Sequence, residues 1–251
     1  MYFTVRYYFM KNALSATIFA IAILSSVVIL SNTYRNRFET GNSISVTGQG
    51  KRDFKSDLIV WNGRFTQKNY ELKEAYRLLQ QDQEKIRAYL AEKGIEENFM
   101  VFSSVDINKE YDYTFDEEGN RRSEFSGYRL TQRVEIESPE IDKIESLARE
   151  ITELINLGVE FDSQAPQYYY TKLSELKIEM ISAATEDARL RAQKIAENAG
   201  AELGELKDAR MGIFQIIGQN SNEDYSWGGT FNTSSKMKTA TVTMKLEFGI
   251  N

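Results

Sequence analysis

The chain has 251 residues, 41% of them apolar and 27% charged, which is enough for one large or two small folded units with a proper core. Its net charge is -6, but the first 37 residues carry four bases and no acid, so the remainder sets 37 acids against 27 bases, which argues against binding nucleic acid. With no cysteine and no histidine, disulfides, thiolate chemistry, Ser-His-Asp triads and ordinary zinc sites are excluded by inventory.

In chain order, residues 1–11 form a short tail holding Arg6 and Lys11. From Ala13 to Leu30 the sequence reads ALSATIFAIAILSSVVIL, uncharged for about 18 residues and able to reach roughly 27 Å as a helix, close to a bilayer core. No small-residue cleavage site follows, and Ser31 to Arg37 is polar and basic. The stretch 12–31 is therefore predicted to be a single uncleaved transmembrane anchor, with the amino terminus in the cytoplasm and the body outside it. Residues 32–42 then read as a linker.

Ser43 to Gly50 (SISVTGQG) alternates Ile44 and Val46 with polar residues and predicts a short strand with a flexible exit at glycine. It does not fit a phosphate loop: Ser45 stands where the first glycine belongs, and Lys51 is followed by Arg52. Asp57 to Gln67 is rich in strand formers, and Asn69 is placed to cap a helix repeating Leu72, Ala75, Tyr76, Leu79, Ile86 and Leu90 up to Gly94. A second helix is marked by Ser138 as cap, Pro139 at the first helical position, and the stripe Ile141, Ile144, Leu147, Ile151 and Leu154 before Gly158. Between the helices, Phe99 to Ile107 and Tyr128 to Ile136 alternate as strands, and the turn Asp116 to Asn120 makes them a long antiparallel hairpin.

Val159 to Phe161 reads as a short strand ended by Pro166. The stretch from Tyr168 to Gly204 is the longest helical signal, with Leu173, Leu176, Met180, Ala184, Ala188, Ala192, Ile195 and Ala199 at steps of three or four on one face. Such a small-residue face lets a helix axis lie close to a sheet. Leu206 to Ile217 and Ala240 to Phe248 are further strands, the latter with Ala240, Val242, Met244, Leu246 and Phe248 on one side and Thr239, Thr241, Thr243, Lys245 and Glu247 on the other. The polar stretch Gly218 to Lys236 between them is expected to be a mobile loop. The order predicts an α+β fold, antiparallel sheets with helices on one face, in two lobes meeting near Ser138, preceded by the anchor.

The segment Ile44 to Gly50 (ISVTGQG), the Gly127-Tyr128 opening of a strand, the helix end AQKIAENAGAELG from Ala192 to Gly204 and the closing alternating strand together resemble the SIMPL-domain family, also called DUF541. The likeness runs from Ser43 to Asn251, so 43–251 is expected to be a SIMPL-like domain. The resemblance implies an exported or envelope-associated α+β protein without an established enzymatic reaction, in a family where some members form large oligomers. The apparent uncleaved anchor and the long loop 218–236 depart from the family pattern.

Candidate sites are few. Asp112, Asp116, Glu117 and Glu118 cluster near a glycine turn, but their spacing is wrong for a calcium loop and they read as a solvated hairpin tip. Tyr168, Tyr169 and Tyr170 follow Pro166, and Tyr225 and Trp227 lie in the polar loop; exposed aromatics of this kind serve protein interfaces or stack on sugars. Among the acids, Asp57 and Asp106 near strand ends are the least implausible catalytic carboxylates, and no serine sits in a hydrolase motif. No catalytic residue, cofactor or metal is expected. The sequence points to a non-catalytic protein of the bacterial inner membrane, single-pass, whose body in the periplasm or outside the cell forms a homo-oligomer or binds an envelope partner. The alternatives are a glycan- or peptidoglycan-binding module using Tyr225 and Trp227, or a carboxylate-based hydrolase.

Overall fold

The structure is a computed structural model that describes residues 17–31, 33–34, 43–115, 119–224 and 226–250. The described residues form an α+β protein with antiparallel sheets, ten strands and four helices. Helix α1 covers residues 17–31, and its large apolar side chains, Ile18, Phe19, Leu24 and Leu30 among them, are all exposed. No helix among the described residues is long and apolar enough to cross a membrane. The first residues of the expected anchor, 12–16, and most of the linker lie outside the described residues.

The described residues gather into two compact units, each drawn from several stretches of chain. The larger comprises Gly50–Ala184 and Gly212–Thr243, and Ser138 lies inside it. At its centre runs β2 (Leu58–Asn69), paired with β5 (Arg121–Ser138) from Ile59 opposite Ser138 to Asn69 opposite Tyr128. The free side of β5 carries β3 (Met100–Phe102) and then β4 (Asp106–Phe115), and that of β2 carries β6 (Phe161–Ser163) and β7 (Gln167–Tyr169). Alternation sends Ile59, Trp61 and Phe65 of β2 and Leu130, Val134 and Ile136 of β5 to one face.

That face is covered by α2 (Leu72–Glu92), through Ala75, Leu79, Ile86 and Leu90, and by α3 (Ile141–Glu150), through Ile141, Ile144 and Leu147. The stripe of α3 continues with Ile151 and Leu154 in a tighter 3-10 turn, Ile151–Leu157, closed by Gly158 in the left-handed region. Neither expected cap sits on its helix. Asn69 Oδ1 and Ser138 Oγ each accept the N–H two residues on, of Glu71 at 2.9 Å and of Glu140 at 3.0 Å, and so turn the chain out of a strand before the helix begins.

Three expectations are corrected here. β1 (Ser43–Lys55) does not stop at Gly50 but runs on for five residues. Glycine is needed at that point because a Cβ would stand 2.4 Å from the Met180 carbonyl oxygen of α4 (Leu173–Asn198). The tyrosines do not open that helix: Gln167–Tyr169 is β7, paired with Leu58, Ile59 and Val60, because main-chain pairing to β2 outweighs the helical spacing of the side chains. Along α4 the buried positions are Leu176, Met180, Ala184, Ala188, Ala192 and Ala196, so Ile195 and Ala199 are exposed. Steps of four overshoot a turn by about 40°, so the buried ridge slants around the helix.

The loop 219–236 is also tied down rather than loose. β9 (Gln215–Gly218) pairs with residues 238–241 of β10 (Met237–Ile250), and Phe231 bridges Ile216 in parallel. Lys238, Thr239 and Thr241 are all buried, so the early part of β10 has no wet face, and the loop reaches Lys238 through Asn232. Thr239 donates to Asp53 at 2.6 Å, which together with Gln219 holds that carboxyl below its ordinary range.

The smaller unit holds the described parts of Met1–Gln49, Thr185–Met211 and Met244–Asn251. In it the strand order is β1-β10-β8, with β8 (Leu203–Met211) antiparallel to β10. Met244, Leu246 and Phe248 are buried on one face as the alternation predicts. Gly200, in the left-handed region, follows α4 and lets the chain turn into β8.

Candidate functional site

The predicted site residues fall in different settings. Tyr168, Tyr169 and Tyr170 are all half-buried. The Tyr168 hydroxyl donates to Glu145 at 2.9 Å, and burial, helped by that carboxylate, pushes its pKa up to about 12. The Tyr169 hydroxyl donates to Gln167 at 2.7 Å, and the Tyr170 ring packs on Phe54 with centroids 4.8 Å apart. Of the three, Tyr168 lines an open groove of about 500 Å³ in the larger unit, with Glu145, Arg149, Gln164 and Pro166. Tyr225 lies outside the described residues, as do Asp116, Glu117 and Glu118 of the acidic tip.

Trp227 stands 96% exposed. Its position is built rather than accidental. Gly229 N–H donates to the Ser226 carbonyl at 3.0 Å, closing a tight turn with Trp227 at its first corner. Below that turn the buried side-chain amide of Gln215 donates to the Ser226 carbonyl at 2.7 Å and accepts from Thr230 N–H at 2.7 Å. One buried amide thus bolts both legs of the turn.

Deeper in the same loop lies Lys238, only 1% exposed. Its ammonium donates to the backbone and side-chain oxygens of Asn232, and the Asn232 amide in turn donates to Glu223 and to Ser234, the latter at 3.1 Å. Burial pulls the Lys238 pKa down to about 8, with Glu223 acting the other way. An unfolded lysine titrates near 10.4, so between about pH 8 and 10 the unfolded chain binds the extra proton and stability rises with pH. The expected gain is on the order of 2–3 kcal/mol, read by urea unfolding at successive pH values, and Lys238→Met should flatten that rise. Spacing alone could have flagged this residue, since it shares the inward parity of Ala240 and Val242.

The carboxylates are engaged structurally. Asp57 accepts from the Thr171 N–H and hydroxyl, both at 2.8 Å, and Asp106 is exposed at the start of an edge strand. Asp142 and Glu145 share the Lys236 ammonium, 2.9 Å from Glu145. Burial acts to raise Glu145, but Lys236 and Tyr168 outweigh it and its pKa falls. The Lys236 ammonium likewise lowers Asp142. Neither is placed to give up a proton near neutrality.

The third exposed feature is the arm formed by β4 and the first half of β5. On one face Tyr111, Tyr113 and Phe115 follow at alternate positions, opposite Phe125, Ser123 and Arg121. Phe125 meets Tyr70, Tyr111 and Tyr128 edge-on at 5.1–5.9 Å, and Arg121 lies 3.7 Å over the Tyr113 ring. The strip is open to solvent, with Phe115 72% exposed. At its base Glu110 pairs with Arg129 and, at 2.9 Å, with Lys68, which hold its pKa down to about 2. Gly127 faces Glu110 where the register shifts, in a backbone region other residues avoid; a Cβ there would meet the Asn69 carbonyl at 2.8 Å. In the smaller unit a groove of about 730 Å³ runs past Arg189, Gln193, Ala201, Leu206 and Phe248.

Layered antiparallel sheet and helix, with aromatics exposed on an arm and on a braced turn, define an α+β protein. Comparison with protein-family models matches residues 44–248 to SIMPL, a protein of unknown function (DUF541), and the chain belongs to that family. No curated protein matches it.

Proposed function

We propose that the chain is a non-catalytic, membrane-anchored envelope protein whose SIMPL domain lies outside the cytoplasm and assembles with further copies of itself. The observation that carries the reading is the β4–β5 arm. β4 is ten residues long, pairs on one side only among the described residues, and presents Tyr111, Tyr113 and Phe115 to solvent. Aromatic residues with an arginine among them are the composition of interface cores, and an open strand edge is a template for further pairing. The anchor is supported by α1, whose large apolar side chains stay exposed among the described residues and are matched in chemistry by lipid.

Light scattering of the full chain in detergent tests the assembly. A multimer is expected, and Tyr113→Asp with Phe115→Asp should reduce it to monomer while leaving the far-ultraviolet dichroism unchanged. A wild-type chain that stays monomeric at high concentration would remove the assembly from the reading. Recovery of the protein in the aqueous phase without detergent would remove the anchor.

A further inference from the structure

We infer that Trp227 is the stacking platform of a binding site for neutral glycans, an activity that goes beyond self-assembly. Trp227 stands at the outer corner of a turn whose backbone Gln215 braces from within the fold, so little backbone order has to be gained on binding. Gly228 follows it with no heavy atom within 4 Å of where its Cβ would stand, and the Trp227 side chain is itself open to solvent. A flat, open π-face matches the face of a pyranose ring whose axial C–H bonds, polarised by the ring oxygens, meet the negative face of the indole.

The surroundings select among occupants. In the chain just before the corner Asn220, Asn222, Asp224 and Ser226 are all exposed. The side chains of Asn222 and Asp224 have no protein hydrogen bond or ion pair among the described residues, so amide and carboxylate groups are free to bond sugar hydroxyls or an N-acetyl group. A protein hot spot would instead be ringed by apolar contacts that exclude water. The residues from Asn220 to Ser235 include Glu223 and Asp224 and no base, which disfavours phosphorylated glycans, anionic headgroups and nucleic acid. A neutral oligosaccharide with equatorial substituents fits the ring and the polar, base-free loop that carries it.

The chain has two tryptophans, and Trp61 is fully buried, so changes in acrylamide quenching of tryptophan emission report on Trp227. The full chain in a sugar-free detergent would be titrated with cellohexaose and with chitohexaose. With at least one of them the emission is expected to shift to the blue and quenching to fall. In Trp227→Ala the calorimetric affinity should drop by roughly tenfold or more, with Trp227→Tyr falling between, at the strength expected of a lost aromatic stack. Unchanged Trp61 emission in these variants verifies the fold. The inference is overturned by no spectral response to either sugar, by equal affinity of Trp227→Ala, or by the same blue shift on raising protein concentration or adding neutral phosphatidylcholine vesicles without sugar. The Phe115→Asp variant keeps the two proposals apart: it should lose assembly and retain the sugar response.

Discussion

Trp61→Ala is expected to destabilise the protein by about 3–5 kcal/mol, the range for deleting a large buried aromatic side chain. Trp61 sits in β2 opposite Ile136, with strands on either side and α2 and α3 above, and it is fully buried. Its ring stacks on Phe161 with centroids 5.8 Å apart, and its Nε1–H donates to the Ser163 hydroxyl at 3.1 Å. Truncation removes the transfer energy of the indole, leaves a cavity that the flanking strands are not free to close, and strips Ser163 of a partner. Urea unfolding followed by circular dichroism measures the loss. Trp61→Phe keeps most of the volume and should cost about half as much or less. A loss under about 1 kcal/mol for the alanine variant would mean that the sheet and helices do not close over this position.

Gly50→Ala should cost about 2–3 kcal/mol although it adds a single methyl group. The new Cβ would stand 2.4 Å from the Met180 carbonyl oxygen and 3.3 Å from the Ala184 nitrogen. Both atoms are backbone of a 26-residue helix, so no side chain can swing away and one element must shift bodily. Gly119→Ala provides the contrast, because nothing lies within 4 Å of its Cβ and only the cost of a left-handed backbone remains. Thermal unfolding of the two variants should therefore separate them clearly. Equal melting temperatures would show that β1 and α4 are not in contact at Gly50.

Much of this architecture was legible because local pattern and tertiary packing agree. The stripe from Ile141 to Leu154 is buried at every position, and the alternation of β10 from Ala240 to Phe248 is buried where apolar. What escaped had its cause far away in the chain. β7 is three residues long and exists through its pairing with β2, more than a hundred residues earlier, while its own tyrosines carry no period. Thr239 and Thr241 read as a wet face but are buried, and Thr239 bonds Asp53 of β1, a partner that no pattern near it reveals. That loop read as mobile because it is polar, but Gln215, Asn232 and Lys238 spend their polarity on one another and on its main chain. At the candidate site, sequence places Trp227 in a loop but does not reveal that Gln215 braces the turn beneath it. Asp82 is a similar case: it is buried within the apolar stripe of α2, where Gln67 donates to it at 2.6 Å.

The two faces of β4 also bear on how the molecule survives before it meets a neighbour. Opposite the aromatic strip the strand carries Asp106, Glu110 and Asp112, so any second strand sliding onto the bare edge in register would bring like charges together. Asp106 and Asp112 are therefore placed as gatekeepers against edge-to-edge fibre growth, while the charge of Glu110 is already engaged by Arg129 and Lys68.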